Sequence, residues 1–129
     1  MKTSLINSSQ FYWKDENIMK VIKLNEFAEF SQKKGLLDTM EERKRVKKDL
    51  LKTKNYNLVL VCLNSGQEIP SRPEPYEVCF YVIEGSGEFT VGKEKVHLSK
   101  GEMLFAQANV PRGIKSKEPL VLLGIQEPH

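Results

Sequence analysis

The side chains suited to metal or redox chemistry are few in this chain and scattered. Its two histidines are His97, in the segment Glu94–Leu98, and His129, the last residue. A catalytic Fe, Mn, Ni or Zn ion needs imidazole and carboxylate ligands converging on one point, and two distant histidines do not supply them. Both read as surface residues. Cys62 and Cys79 lie inside apolar runs with no CxxC or disulfide-framework spacing, so both read as core thiols in a reducing compartment. Permanent charges are the more informative feature. Arg72 and Glu74 stand two residues apart in SRPEPYE, and Arg112 follows Pro111. Arginine stays protonated and offers no lone pair to a cation, but its fork of N–H donors grips carboxylate and phosphate. Positions two apart share one face of an extended strand.

The elements that must position these residues are mostly strands. Leu58–Leu63 and Val78–Ile83 are continuous apolar runs, suited to strands covered on both faces. Asn64-Ser65-Gly66 marks a turn, and Gly85-Ser86-Gly87 another before Glu88–Val91. Gly92-Lys93 turns into Glu94–Leu98, and Ser99-Lys100-Gly101 into Met103–Ala106. Asn109-Val110-Pro111 is a loop before the short strand Arg112–Lys115, and Leu120–Ile125 is the last long strand. Short strands punctuated by glycine argue for a closed sandwich or jelly roll.

The N-terminal third is less regular. Residues 1–20 form a polar arm carrying Phe11-Tyr12-Trp13, whose rings are expected to pack across the barrel or a partner subunit, the alternative being a disordered arm. Val21–Leu24 reads as a short strand. Asn25 then caps a helix over Glu26–Lys33, with Phe27 and Phe30 on one face and Gly35 ending it. The basic run MEERKRVKKDLLKTK (residues 40–54) fits either a solvated helix or a lysine-rich edge strand.

At 129 residues the chain is one domain, expected to bury roughly two-thirds of its unfolded surface. Twenty basic and 17 acidic residues give a net charge of +3, too mild and mixed for a nucleic-acid binder. The first twenty residues lack the apolar core of roughly 7–15 residues that a signal peptide needs. No run approaches the ~20 apolar residues that span a bilayer, so no membrane role and a cytoplasmic location are expected.

The segment EVCFYVIEGSGEFTVG resembles the strand–turn–strand of the first motif of the small cupins, and KGEMLFAQANVPRGIKS resembles the second. With the flanking strands 58–63 and 120–125, the resemblance covers roughly the last 75 residues. It implies an all-β fold: a cupin-type double-stranded β-helix (jelly roll) over residues 21–129, preceded by a short helical or extended arm over residues 1–20. In that family the first motif runs from glycine through two histidines and a glutamate to glycine. Here the glycines fall on Gly66 and Gly85, the histidine positions on Arg72 and Glu74, and the glutamate position on Val78. The second motif begins at Gly101, and its later positions are Gln107, Asn109, Arg112 and Ser116, with Arg112 at the ligand histidine. All four usual metal ligands are therefore replaced, two of them by arginine, and no metal or other cofactor is expected.

In the cupin register Arg72, Glu74 and Arg112 face one cavity. Buried charges must be paired or hydrogen-bonded. Glu74 neutralises one arginine and leaves surplus positive charge for Glu77, Glu88 or a bound anion to balance. The expected function is metal-independent binding of a small carboxylate, phosphate or acidic sugar, with Gln107, Tyr76 and Ser116 as neutral contacts at the mouth. Two alternatives stand beside it. One is a metal-dependent enzyme of dioxygenase or isomerase type, built on Glu74 and Glu77. The other is a non-catalytic dimerising module in which Arg–Glu–Arg is a structural plug, and within the metal-free reading Arg72, amid Pro70 and Pro73, can instead swing into solvent. Cys79 and Tyr81 make the strand Val78–Ile83 apolar on its outward face as well, and the resemblance implies a homodimer.

Overall fold

The computed structural model describes residues 5–7, 10–11 and 19–129. Tyr12 and Trp13, expected to pack on the barrel, lie outside the described residues. Strand β1 (Leu5–Asn7) pairs with β2 (Gln10–Phe11) in a small hairpin, and β2 lies alongside β3 (Lys47–Lys52).

Two antiparallel sheets make the body. The five-stranded sheet runs β3, β4 (Asn57–Leu63), β11 (Leu120–Gln126), β6 (Val78–Glu84), β9 (Met103–Ala106). The four-stranded sheet runs β5 (Glu68–Arg72), β10 (Arg112–Ser116), β7 (Ser86–Val91), β8 (Glu94–Ser99). The main core lies between them. Val59, Val61 and Leu63 of β4, Val78, Phe80 and Val82 of β6, Leu120 and Leu122 of β11, Phe89 and Ile114 alternate inward with the period of two that a pleated strand imposes. A second cluster lies on the opposite face of the five-stranded sheet, where Leu50, Leu60 and Cys62 are covered by Ile22, Phe27 and Phe30. The apolar outer side of β4 is thus closed by the N-terminal segment of the same chain.

That cover replaces the expected strand over Val21–Leu24 and helix over Glu26–Lys33. Only one 3₁₀ turn forms, at Leu24–Glu26, and the rest runs irregularly over the sheet. The competing partners are side chains. The Asn64 Nδ2 donates to the Ser31 carbonyl at 2.9 Å, and the buried Gln67 Nε2 donates to the carbonyls of Ser31 at 3.0 Å and Lys33 at 2.5 Å. Gly35, at φ +78°, then turns the chain so that its carbonyl accepts from the Glu68 N–H. Carbonyls captured across the fold are lost to a helical ladder.

Residues 40–54 take both conformations that their composition allows, in series. Thr39 and Glu42 form a reciprocal capping box at the start of α1 (Met40–Val46), and the chain passes directly into β3 at Lys47. Strand β5 has no counterpart in the sequence reading because Pro70 sits inside it, and proline is tolerated there as an edge-strand residue.

Candidate functional site

A cavity of about 250 Å³ opens between the sheets at the end where β5 finishes and β10 begins. Its floor is apolar: Val61, Val78, Phe80 and Ile114, all buried, with the half-buried Ile69 beside them. The wall above carries charge from two sides of the fold. Arg72, Glu74 and Arg112 arrive from β5, the loop after it and β10, where Arg72 and Arg112 are direct register partners. Arg43 and Lys44 arrive from α1, and Lys47 and Asp49 from β3. Lys47 pairs with Val61 and Asp49 with Val59, which are inward positions of β4, so both charged side chains of β3 share the interior side. Five cations thus face two carboxylates around one opening.

These cations are held differently. Arg112 is 8% exposed, and its guanidinium is engaged by backbone. Nη1 donates to the Tyr76 carbonyl at 2.8 Å, Nη2 to that of Gln107 at 2.6 Å, and Nε to that of Val110 at 3.2 Å. It ties the 107–111 loop to the chain entering β6. Arg72 is substantially exposed, and its Nε donates to Glu74 Oε2 at 3.2 Å. Lys47 is half-buried, with Nζ 3.4 Å from the Tyr76 hydroxyl and 5.8 Å from the centre of that ring. Among the described residues, no carboxylate lies within 4.0 Å of either Lys47 or Arg112.

Burial holds the Lys47 pKa below its ordinary 10.5; Glu74 and Asp49 pull it back up, and Arg72 and Arg112 push it down again. Burial also raises the Tyr76 pKa, so its hydroxyl stays protonated near neutrality. His129 stacks flat on Tyr76 with ring centres 3.8 Å apart, and its Nε2 lies 2.9 Å from Gln126 Oε1. Desolvation and then Lys47 lower its pKa from 6.5, leaving a neutral imidazole at pH 7. His129 is therefore a packing partner for Tyr76 as well as a surface residue; His97 is exposed on β8.

Of the residues singled out from the sequence, Arg72, Glu74, Tyr76 and Arg112 line the cavity, and so does Val78. Gln107 and Ser116 do not. Gln107 is exposed, and its contribution is the carbonyl that holds Arg112. Ser116 is buried at the opposite end of β10, where its hydroxyl donates to the Asn64 carbonyl. Ser116 stands two residues past Ile114, which is the last β10 residue on the cavity lining. Glu77 and Glu88 also lie outside the lining; the Glu77 backbone N–H bonds Glu127 instead. Lys47, Asp49, Arg43 and Lys44 were missed, because a dense basic run reads as a solvated face. The alternation of Lys47 and Asp49 in a strand whose Leu50 packs outward is the signal that marks them.

The donor set at this opening does not fit a divalent cation. The positions expected to hold three neutral imidazoles and a carboxylate hold two guanidiniums, one carboxylate already paired, and Val78. Among the described residues, no group of three or more His, Cys, Asp or Glu side chains is placed to hold a metal ion.

Two sheets closed around a side-chain-lined cavity, with strands threaded in this order, define a double-stranded β-helix. Residues 59–125, just over half of the chain, match the cupin domain family, and the chain belongs to that family. Solved structures agree on the fold. The TT1209 protein from Thermus thermophilus is similar over 85% of this chain and 98% of its own, with a TM-score of 0.71 and 23% identity. An uncharacterised conserved protein with a double-stranded β-helix domain from Klebsiella pneumoniae is similar over 85% and 90%, with a TM-score of 0.70 and 21% identity. A salicylate 1,2-dioxygenase from Pseudaminobacter salicylatoxidans is similar over 58% of this chain and 22% of its own, with a TM-score of 0.57 and 24% identity. No curated protein matches the chain. Likenesses at these identities establish the scaffold, and the activity must be argued from the site.

Proposed function

We propose that this cupin barrel binds a small anionic molecule, a carboxylate, phosphate or acidic sugar, in its cavity without a metal ion. The observation that carries this reading is the excess of cations over carboxylates around one opening, with Lys47 and Arg112 lacking any carboxylate partner among the described residues. Uncompensated cations near an apolar floor are stabilised by an incoming anion, because the low dielectric strengthens the attraction. Arg112 supplies field from a fixed position, while Arg72, Lys47 and the Tyr76 hydroxyl have donors that reach the opening. A cytoplasmic location belongs to the same reading and is supported by the two unpaired cysteines, which suit a reducing compartment. No described helix is long and apolar enough to cross a membrane.

The test is thermal stabilisation of the purified protein by sodium acetate, inorganic phosphate and glucuronate against sodium chloride at equal ionic strength. A ligand at 100 times its Kd should add about 2.7 kcal/mol of stability. Lys47→Met should weaken binding at least tenfold. Stoichiometric Fe, Mn or Zn in protein purified without a nickel column, or no anion effect at all, would overturn the reading.

The pH response has a definite sign. Lys47 titrates below 10.5 when folded and near 10.5 when unfolded, so within that window its own site holds more protons in the unfolded chain and its contribution to ligand-free stability rises with pH. A bound anion favours the charged ammonium, so anion affinity falls across the same window. The difference between wild type and Lys47→Met should show both trends, read by calorimetry between pH 7 and 10.5.

The same reading includes a homodimer. Tyr81, Met103, Phe105 and Ile125 lie 37–55% exposed on the outer face of β6, β9 and β11, beyond the area covered by residues 22–30. Light scattering at micromolar concentration should give twice the chain mass of 14.8 kDa, and Phe105→Glu should return it to that mass. A monomeric wild type counts against it.

A further inference from the structure

The cavity is strongly two-sided, and that narrows the ligand class. The lining combines cations with a group of apolar side chains, Val61, Val78, Phe80, Ile114 and Ile69, that offer no polar group of their own. Two buried polar residues share the lining, and both are engaged: Gln126 Oε1 with His129, and the Arg112 guanidinium with backbone carbonyls. A phosphate or a sugar acid pushed onto that floor would bury oxygens with no donor facing them, which is costly. A hydrocarbon body suits the same surface. The volume sets the size: about 250 Å³ is roughly eight water-sized volumes of ~30 Å³ each.

We infer that the ligand is a compact amphipathic monocarboxylate, its head held at the rim by Lys47, Arg72 and the Tyr76 hydroxyl and its hydrocarbon body lying on the apolar floor. This rests on the anion-binding reading and adds the ligand's class and orientation. It also assigns a role to Glu74. That carboxylate accepts from Arg72 Nε at 3.2 Å, which is the kind of bond an incoming carboxylate would make. Glu74 is the resident competitor for Arg72, and the ligand head displaces it. A side chain that contacts a bound ligand favourably weakens binding when altered; a competitor has the opposite signature.

The experiment is isothermal calorimetry on the whole chain with acetate, butyrate, hexanoate, decanoate, neutral hexanamide and inorganic phosphate. Each added CH₂ that reaches the floor should tighten binding roughly fourfold. Hexanoate should therefore bind over a hundredfold tighter than acetate, and decanoate should gain nothing further because the cavity is full. Hexanamide should bind at least tenfold more weakly than hexanoate. Lys47→Met should cost hexanoate at least tenfold, and Glu74→Gln should tighten it about threefold or more, with circular dichroism confirming that both variants fold. Acetate or phosphate binding as tightly as hexanoate, and equally dependent on Lys47, overturns the amphipathic class while leaving the anion site standing. Hexanoate binding that ignores Lys47→Met overturns the assigned orientation. Weakened binding in Glu74→Gln makes Glu74 a ligand contact and overturns its role as competitor. No binding by any of these anions sinks both readings together.

Discussion

Gly85→Ala should abolish the folded barrel. Gly85 sits at φ +82°, and a Cβ built there would lie 1.9 Å from the Pro119 carbonyl oxygen and 2.8 Å from its carbonyl carbon. The obstruction is backbone, which cannot rotate aside as a side chain can. Relieving it requires the 117–119 turn to move away from the start of β7, where the Lys117 N–H bonds the Ser86 carbonyl at 3.1 Å. The φ strain adds about 1–2 kcal/mol to the clash, and losses above about 4 kcal/mol belong to this kind of site. Against a total stability of about 5–15 kcal/mol, most of the chain should be insoluble or unfolded at 25 °C. Gly66→Ala is the control. Gly66 has nearly the same φ, +78°, but nothing lies within 4 Å of its would-be Cβ. It should lose only the strain, about 1–2 kcal/mol. Urea denaturation of both variants checks the contrast, and a soluble Gly85→Ala with a midpoint close to wild type would contradict it.

Arg112→Met should destabilise by about 3 kcal/mol, a fall in Tm of roughly 10 °C for a domain of this size. The guanidinium closes three carbonyl hydrogen bonds from inside the fold, and methionine fills the space without replacing any of them. The carbonyl of Tyr76 suffers most from the loss, since its bond is buried while those to Gln107 and Val110 are only partly so. Anion affinity should change less than in Lys47→Met, because the lost donors serve backbone and only the long-range field is removed. Arg112→Lys should recover part of the field but little of the stability, since an ammonium cannot span three carbonyls set in a fork. The measurement is paired: chemical denaturation for stability and calorimetry with hexanoate for affinity. A stable Arg112→Met that has lost anion binding by more than tenfold would make the guanidinium a direct ligand contact.

Much of the strand arrangement follows from local pattern. Leu58–Leu63, Met103–Ala106 and the hairpin across Gly92-Lys93 stand where apolar runs and glycine turns place them, because run length and positive φ are short-range constraints. The segment 22–33 escaped because its backbone partners, Asn64 and Gln67, lie more than thirty residues away and outcompete a weak helical signal. Site residues divide on the same line. Arg72, Glu74 and Arg112 are visible through motif spacing; Lys47 is not, because a basic run looks alike whether it faces solvent or lines an opening. Ser116 occupies a motif position, yet its buried hydroxyl donates to the Asn64 carbonyl and lies outside the cavity lining.

The amino-acid order alone determined that the chain would close into a β-barrel of this family and that arginines would stand where imidazoles are usual, since side-chain chemistry and strand periodicity are properties of the residues themselves. Tertiary structure decided which charges meet. It committed Arg112 to backbone carbonyls, paired Arg72 with Glu74, and brought Lys47 of β3 to the same opening. Those outcomes depend on strand register and on hydrogen bonds between segments far apart in the chain, where the cost of burying a charge unpaired selects among arrangements that local pattern leaves equal.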